Sequence, residues 1–150
     1  MGYLLIAAAV FIGDFFVKRH MDKKYAKNVV HTRCRGRILI EKYYNRGAAR
    51  NFLQKRPGVL RVIHTALMIF AAALCYVLLK TPGRGLAKTG MALLLGGGLS
   101  NLYDRYTRGY VVDYFRINAG PRRFRNIIFN LSDFCIFIGA FLAAGSGGKE

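Results

Sequence analysis

Residues 62–79 read VIHTALMIFAAALCYVLL, an apolar run whose one basic residue, His64, lies close to its start. An α-helix of this length extends about 27 Å, close to the thickness of the hydrocarbon core of a bilayer. Three other runs have similar length and composition, at residues 1–17, 85–102 and 127–145. The sequence therefore predicts a membrane all-α protein, a single domain with four transmembrane helices.

The charge of the chain first suggests a different class of protein. Among 150 residues, 24 Lys and Arg face 7 Asp and Glu, a formal net charge of +17 that is typical of nucleic-acid-binding proteins. The chain is also 53% hydrophobic, however, and its apolar residues are gathered in blocks. We therefore expect a membrane protein with no nucleic-acid partner.

Two long polar segments, residues 18–56 and 103–126, separate the predicted helices. Each contains a candidate strand, residues 37–44 (RILIEKYY) or residues 110–115 (YVVDYF), followed by a turn at residues 45–47 or 120–121. The segments follow the first and third crossings, so they emerge on the same side of the membrane. We expect them to form a small strand-containing cradle, the one β element of the fold.

Four of the seven acids lie inside or against apolar segments. Asp14 and Asp133 fall within predicted helices, Asp104 ends the third helix, and Asp113 lies in a candidate strand. A charged side chain inside a membrane segment costs roughly 2.5–3.5 kcal/mol, so such positions indicate a function.

A structural ion pair is the alternative explanation for two of these acids. Lys18 follows Asp14 by one helical turn, and Arg105 directly follows Asp104. The other two acids have no adjacent cation.

Two segments place an amide three residues before a carboxylate, at Asn101 and Asp104 and at Asn130 and Asp133, so each Asn can orient an Asp. Counted from residue 127, Asp133 lies roughly 9 Å into the fourth helix. Two carboxylates that share a site hold one proton between them, the arrangement that activates water in aspartic proteases. The spacing leaves open whether Asp104 or Asp113 is the partner of Asp133.

Three consecutive segments resemble the motifs of the lipoprotein signal peptidase family, signal peptidase II, in order and spacing. They are GGGLSNLYDR at residues 96–105, VVDYF at residues 111–115 and FNLSD at residues 129–133. NRGAA at residues 45–49 is similar to the family's N-x-G-A-A motif, and Asp14 with Lys18 is similar to its D-Q-x-x-K motif. The resemblance spans essentially the whole chain.

This resemblance implies an aspartic endopeptidase of the bacterial plasma membrane, a multi-pass protein with its active site at the outer leaflet. Its substrates are diacylglyceryl-modified prolipoproteins, which it cuts before the lipidated cysteine. It implies no metal or organic cofactor, and we expect a monomer. The family's catalytic pair falls on Asp113 and Asp133. The residues that match its substrate-binding or dyad-supporting positions are Asn45, Asn101, Arg105, Asn130, Asp14, Lys18 and Asp104.

The chain departs from the family pattern at four positions outside the dyad. Phe15 stands in place of Gln, Ser100 in place of Gly, Arg50 in place of an aromatic residue, and Ser132 in place of a common Ala. These departures bear on substrate contacts and inhibitor sensitivity rather than on the chemistry.

Two other functions stay open at this point. A small proton-coupled transporter would place its acids near the bilayer midplane. A relative that binds lipoproteins without cutting them would keep the same motifs.

The charge distribution and the family resemblance predict opposite membrane topologies. The two long loops hold 13 and 6 of the 24 Lys and Arg, so the positive-inside rule predicts that they are cytoplasmic. The resemblance implies that they lie on the outer face, and we follow it. We also expect these basic loops to hold anionic lipid headgroups.

Overall fold

The structure is a computed structural model that describes residues 1–27, 29–48 and 53–146. Its helices are α1 (Gly2–Lys24), α2 (Pro57–Lys80), α3 (Gly85–Thr107), the short α4 (Arg122–Arg125) and α5 (Leu131–Gly145). Its strands are β1 (Val30–Arg33), β2 (Ile38–Asn45), β3 (Val111–Ile117) and β4 (Ile128–Phe129). The fold is mostly helical with one small sheet, as predicted. Ala49 of the NRGAA segment and Arg50 lie outside the described residues.

The strands form one antiparallel sheet in the order β1-β2-β3-β4. The two predicted strands correspond to β2 and β3, and their pairing joins the first and third loops, as expected. In this pairing Tyr43 lies opposite Asp113, and Asn45 lies opposite Val111. The sheet thereby brings the end of β2 beside one of the predicted catalytic residues. The sequence analysis did not predict β1 or β4, which have four and two residues.

Helix α3 contacts α1, α2 and α5 and lies at the centre of the helical part. A Cβ atom at Gly96 would lie 2.5 Å from the carbonyl oxygen of Ala7 in α1. A Cβ atom at Gly90 would lie 2.6 Å from the carbonyl oxygen of Gly139 in α5. Glycine at these positions therefore permits the close helix contacts that fix the arrangement of α1, α3 and α5.

Four helix boundaries differ from the prediction by several residues. Helix α2 begins at Pro57 instead of residue 62, and α3 ends at Thr107 instead of residue 102, so Asp104 lies inside α3. Helix α1 continues to Lys24 instead of ending at residue 17, because Lys18 is buried in the helical part. Helix α5 begins at Leu131 instead of residue 127, because Asn130 caps it. Asp133 therefore lies in the first turn of α5, and the predicted depth of roughly 9 Å is wrong.

Helix α2 is the one helix in the described part of the chain that is long and apolar enough to cross a membrane, with a mean hydropathy of 2.3. Helix α5 is also apolar but has 15 residues, and α1 and α3 contain buried charged side chains. Many large apolar side chains project outward from the helices, including Phe70 and Phe141, which are 68% and 78% exposed. Such an apolar outer surface is typical of a protein embedded in lipid.

Candidate active site

Asp113 and Asp133 line the same cavity, which has a volume of about 310 Å³. Asp113 comes from β3 and Asp133 from the first turn of α5, so the cavity lies where the sheet meets the helices. Of the two partners that the spacing left open for Asp133, the structure brings Asp113 into the shared cavity.

Asn130 contacts both carboxylates. Its Nδ2 donates a hydrogen bond to Oδ1 of Asp113 at 2.7 Å. Its backbone N–H donates to Oδ2 of Asp133 at 3.0 Å, and its Oδ1 accepts from the backbone N–H of Asp133 at 3.0 Å. The last two bonds form the capping box that starts α5. Asn130, which ends the third loop and caps α5, therefore also fixes the separation of Asp113 and Asp133.

Two further amides complete the set of donors. Nδ2 of Asn45 donates to Oδ2 of Asp113 at 2.9 Å, while its Oδ1 accepts from the backbone N–H of Gly47 at 3.0 Å. Nδ2 of Asn101 donates to Oδ1 of Asp133 at 3.0 Å. Asn101 therefore orients Asp133, whereas its spacing in the sequence suggested Asp104.

The two acids lie close enough for the charge of one to affect the protonation of the other. Burial and, to a smaller extent, the negative charge of Asp133 together raise the pKa of Asp113 to about 7, against the lowering effect of hydrogen bonds from Asn45 and Asn130. Asp133 lies at the positive end of the α5 dipole, which favours a carboxylate there. The pair can thus hold one proton and one negative charge near neutral pH.

A second group of acids surrounds Lys18. Its Nζ lies 2.7 Å from Oδ2 of Asp14 and 3.2 Å from Oδ2 of Asp104, and all three side chains are almost fully buried. The predicted ion pair of Asp14 with Lys18 is confirmed. The alternative pair of Asp104 with Arg105 is wrong, because Arg108, one helical turn later, takes that place with Nε 3.2 Å from Oδ1 of Asp104.

Lys18 also joins this group to the cavity, since its Nζ donates to Oδ1 of Asn101 at 2.7 Å. Asn101 in turn donates to Asp133, as described above. A continuous set of hydrogen bonds therefore runs from the ion pair to the two acids of the cavity.

Sequence reasoning missed the role of two serines. Oγ of Ser100 and Oγ of Ser132 each donate to Oδ2 of Asp14 at 2.6 Å. Both had been noted as departures from a family pattern that has Gly or Ala there, and the structure shows that they bind the same buried carboxylate. Nothing in the sequence could indicate this, because the three residues lie on three different helices.

Arg105 and Tyr43 line the cavity beside the acids. The Arg105 guanidinium donates to the carbonyl oxygens of Gly47 at 3.0 Å and of Asn101 at 3.4 Å. It is therefore held at the edge of the cavity between the β2 turn and α3. Tyr43, which the sequence analysis did not single out, faces Asp113 across the sheet.

Comparison with known protein families identifies the family to which this sequence belongs. Residues 6–146 match the family model described as Signal peptidase (SPase) II. The chain belongs to the signal peptidase II family.

Relatives and solved structures agree with this assignment. A lipoprotein signal peptidase of Paraburkholderia phytofirmans is 37% identical over 93% of this chain and 80% of its own length. Another, of Caldicellulosiruptor bescii, is 33% identical over 100% of this chain and 95% of its own length. A bacterial membrane enzyme solved by the in meso method has a TM-score of 0.83 and 25% identity, over 99% of this chain and 94% of that one.

Membership of the signal peptidase II family makes the chain a peptidase, as predicted. The family and the similar membrane-enzyme structure also indicate a membrane protein, as predicted. Of the four departures from the family pattern, Ser100 and Ser132 now have partners, and the ring of Phe15 contacts that of Tyr103 in α3 at 5.8 Å between centroids. The acids of the cavity lie at one end of α5 beside the sheet, which does not favour the transporter with acids near the midplane.

Proposed function

We propose that this chain is an aspartic endopeptidase that removes signal peptides from diacylglyceryl-modified prolipoproteins, cutting before the lipidated cysteine. The observation that carries the proposal is the placement of Asp113 and Asp133 in one cavity, oriented by amides and paired with no cation within the described residues. Membership of the signal peptidase II family supports the substrate class.

The two acids divide the work of hydrolysis. The Asp133 carboxylate takes a proton from water as the water oxygen attacks the scissile carbonyl carbon. Protonated Asp113 donates a hydrogen bond to the developing oxyanion. The tetrahedral intermediate then collapses, the C–N bond breaks, and an acid of the pair protonates the leaving amine. One water molecule is consumed, and the pair regains its single proton.

The remaining polar residues hold the substrate or the dyad. Arg105 and Asn45 both line the cavity and are suited to binding the peptide backbone of the substrate. Asn101 and Asn130 orient the acids, and the group of Asp14, Lys18 and Asp104 supports Asn101 from the helical side. No cofactor takes part in this scheme.

Four helices span the membrane in this proposal: α1, α2, α3 and α5. The buried charges of α1 and α3 face each other inside the protein, which removes the cost of exposing them to lipid. The sheet and the dyad then lie together at one membrane surface. We place this surface at the outer leaflet of the bacterial plasma membrane and propose that the enzyme acts as a monomer.

Labelling of introduced cysteines tests the topology against the positive-inside rule. Arg122 and Arg123 are exposed in the third loop. In intact cells, Arg123→Cys should react with a membrane-impermeant maleimide if this loop lies on the outer face. Labelling only after the cells are opened would place the loop in the cytoplasm, as its charge predicts. Replacing Cys34, which is exposed in the first loop, leaves the new thiol as the reporter.

Cleavage of a diacylglyceryl-modified precursor beside its unlipidated twin tests the function. We expect the purified protein in detergent to release the signal peptide from the lipidated precursor at least tenfold faster. Equal cleavage of both precursors would contradict the proposed substrate class, and cleavage of neither would contradict the enzyme activity.

A further inference from the structure

A second cavity lies next to the proposed active site and has a different character. It has a volume of about 380 Å³ and opens between the first turn of α2 and the end of α3. No acid is among the described residues that line it, and four of them are arginines: Arg46, Arg61, Arg105 and Arg108. Such a concentration of guanidinium groups is suited to a phosphate, which arginine binds through two parallel hydrogen bonds.

The positive charge of this cavity is only partly neutralised by the described residues of the protein. Arg108 is bound by Asp22 and Asp104, but neither Arg46 nor Arg61 forms an ion pair with an acid in the described part of the chain. The described acids outside the dyad are each paired with a cation: Asp14 and Asp104 with Lys18, Asp22 with Lys42 and Arg108, and Glu41 with Arg116. An external anion is therefore the available counter-charge.

One of the unpaired arginines is also held in position. The Arg61 guanidinium lies 5.7 Å from the ring centroid of Tyr106, whose hydroxyl is 2.9 Å from that of Thr65. A cation held over an aromatic ring loses less conformational freedom when it binds an anion. The cavity is thus partly preorganised before any ligand arrives.

The surface next to this cavity indicates the kind of molecule that carries the anion. Val62 and Ile63 follow Arg61 in α2 and are 68% and 44% exposed. An apolar groove of about 350 Å³ then runs between α2, α3 and α5, and it is lined at one end by His64. His64 Nδ1 lies 3.3 Å from a terminal nitrogen of Arg105, so the groove and the basic cavity meet at this contact.

We propose that the four-arginine cavity is a binding site for the phosphate of an anionic phospholipid, whose acyl chains lie on the apolar side of α2. The substrate's own lipid group is a diacylglyceryl thioether without a phosphate, so the site binds a lipid of the surrounding membrane. Arg105 lines both this cavity and the proposed active site. A bound phospholipid therefore helps to position the guanidinium that faces the substrate.

Thermal unfolding in a nonionic detergent tests the site without measuring cleavage, so its outcome is independent of the proposed function. Four additives separate the possible sources of binding: phosphatidylglycerol, phosphatidylcholine, diacylglycerol and inorganic phosphate. We expect phosphatidylglycerol to raise the melting temperature at the lowest concentration. Diacylglycerol lacks the phosphate, inorganic phosphate lacks the chains, and phosphatidylcholine carries a compensating positive charge, so each should act at least tenfold more weakly.

Matched charge removals locate the effect. Arg46→Gln with Arg61→Gln should weaken the response to phosphatidylglycerol by roughly tenfold or more, because each substitution removes a charged hydrogen-bond donor. Arg33→Gln with Arg35→Gln removes the same charge from the exposed end of β1 and the connection to β2, and should change the response less than twofold. Arg46→Gln alone, at an exposed position, serves if the double variant folds poorly.

Three results would overturn the proposal. A wild-type response in the Arg46 and Arg61 double variant would remove the cavity as the site. An equal loss in the Arg33 and Arg35 variant would indicate diffuse attraction between basic loops and lipid. A response to inorganic phosphate as strong as that to phosphatidylglycerol would show a free-anion site instead of a lipid site.

Discussion

Two pairs of buried carboxylates, Asp14 with Asp104 and Asp113 with Asp133, are connected through the hydrogen bonds of Lys18 and Asn101 and differ in what neutralises them. The first pair shares the cation Lys18 and is closed off from solvent. The second pair shares the neutral amide of Asn130 and opens on a cavity. Burial alone therefore does not mark a catalytic acid. The absence of a pairing cation and access to a cavity distinguish the pair that is suited to chemistry.

Substitution in the open pair should have the largest effect on catalysis. Asp113→Asn should lower kcat for cleavage of a lipidated precursor by roughly 10²- to 10⁴-fold, because the general acid is removed. The assay uses purified protein in detergent at equal concentration. Glu41→Gln, which removes a carboxylate from the neighbouring strand β2, is the control and should retain at least half of the activity. Similar losses of kcat in both variants would show that Asp113 is no more important for cleavage than Glu41.

Substitution in the closed pair should mainly affect stability. Lys18→Met leaves the buried Asp14 without a cation and Asp104 with Arg108 alone, and should lower the free energy of unfolding by roughly 3–5 kcal/mol. Thermal unfolding in detergent measures the change. Adding Asp14→Asn to Lys18→Met should recover part of the loss, because the unpaired buried charge of Asp14 is then gone. A Lys18→Met protein that melts like the wild type would show that the ion pair contributes nothing to the fold.

The serines that bind Asp14 should contribute less. Ser132→Ala removes one hydrogen bond to a charged acceptor and should lower the free energy of unfolding by roughly 1.5–3 kcal/mol, with kcat nearly unchanged. Ser100→Ala should behave in the same way. Parallel measurement of melting temperature and turnover separates the two effects. A large fall in kcat without a change in melting temperature would place these serines in the catalytic machinery instead.

The smallest expected effect is a shift in the pH dependence of cleavage. In the wild type, cleavage should slow as the pH rises through about 7, because Asp113 then loses the proton that it donates. The hydrogen bond from Asn45 lowers the pKa of Asp113, so Asn45→Ala should move this decline to higher pH. Asn118→Ala, which removes a bond at the far end of the sheet, should leave it in place. A decline at lower pH in Asn45→Ala would contradict the assigned proton.

Much of the fold could be predicted because it depends on composition along the chain. Apolar runs located the long helices, and alternation with turn residues located β2 and β3. The ends of the helices could not be predicted from hydropathy, because polar residues decide them. Lys18 continues α1 since its charge is neutralised inside the protein, and Asn130 delays α5 since it caps the helix.

The candidate site was predictable in its residue types and less so in its contacts. Asp113 and Asp133 stood out because no cation is adjacent to either of them in the sequence. The partners of Asn101 and Ser132 could not be found in this way, because these partners are far away in the sequence, whereas Arg108, one partner of Asp104, lies only one helical turn after it. Spacing along one helix indicated that Asn101 faces Asp104, whereas packing between helices brings it to Asp133.

The central claim is that the open pair performs the chemistry, and Asp133→Asn tests it most directly. Cleavage of the diacylglyceryl-modified precursor and the melting temperature should be measured on the same purified sample. We expect no detectable signal-peptide release, with a melting temperature close to that of the wild type. Release at the wild-type rate by a folded Asp133→Asn protein would contradict the central claim.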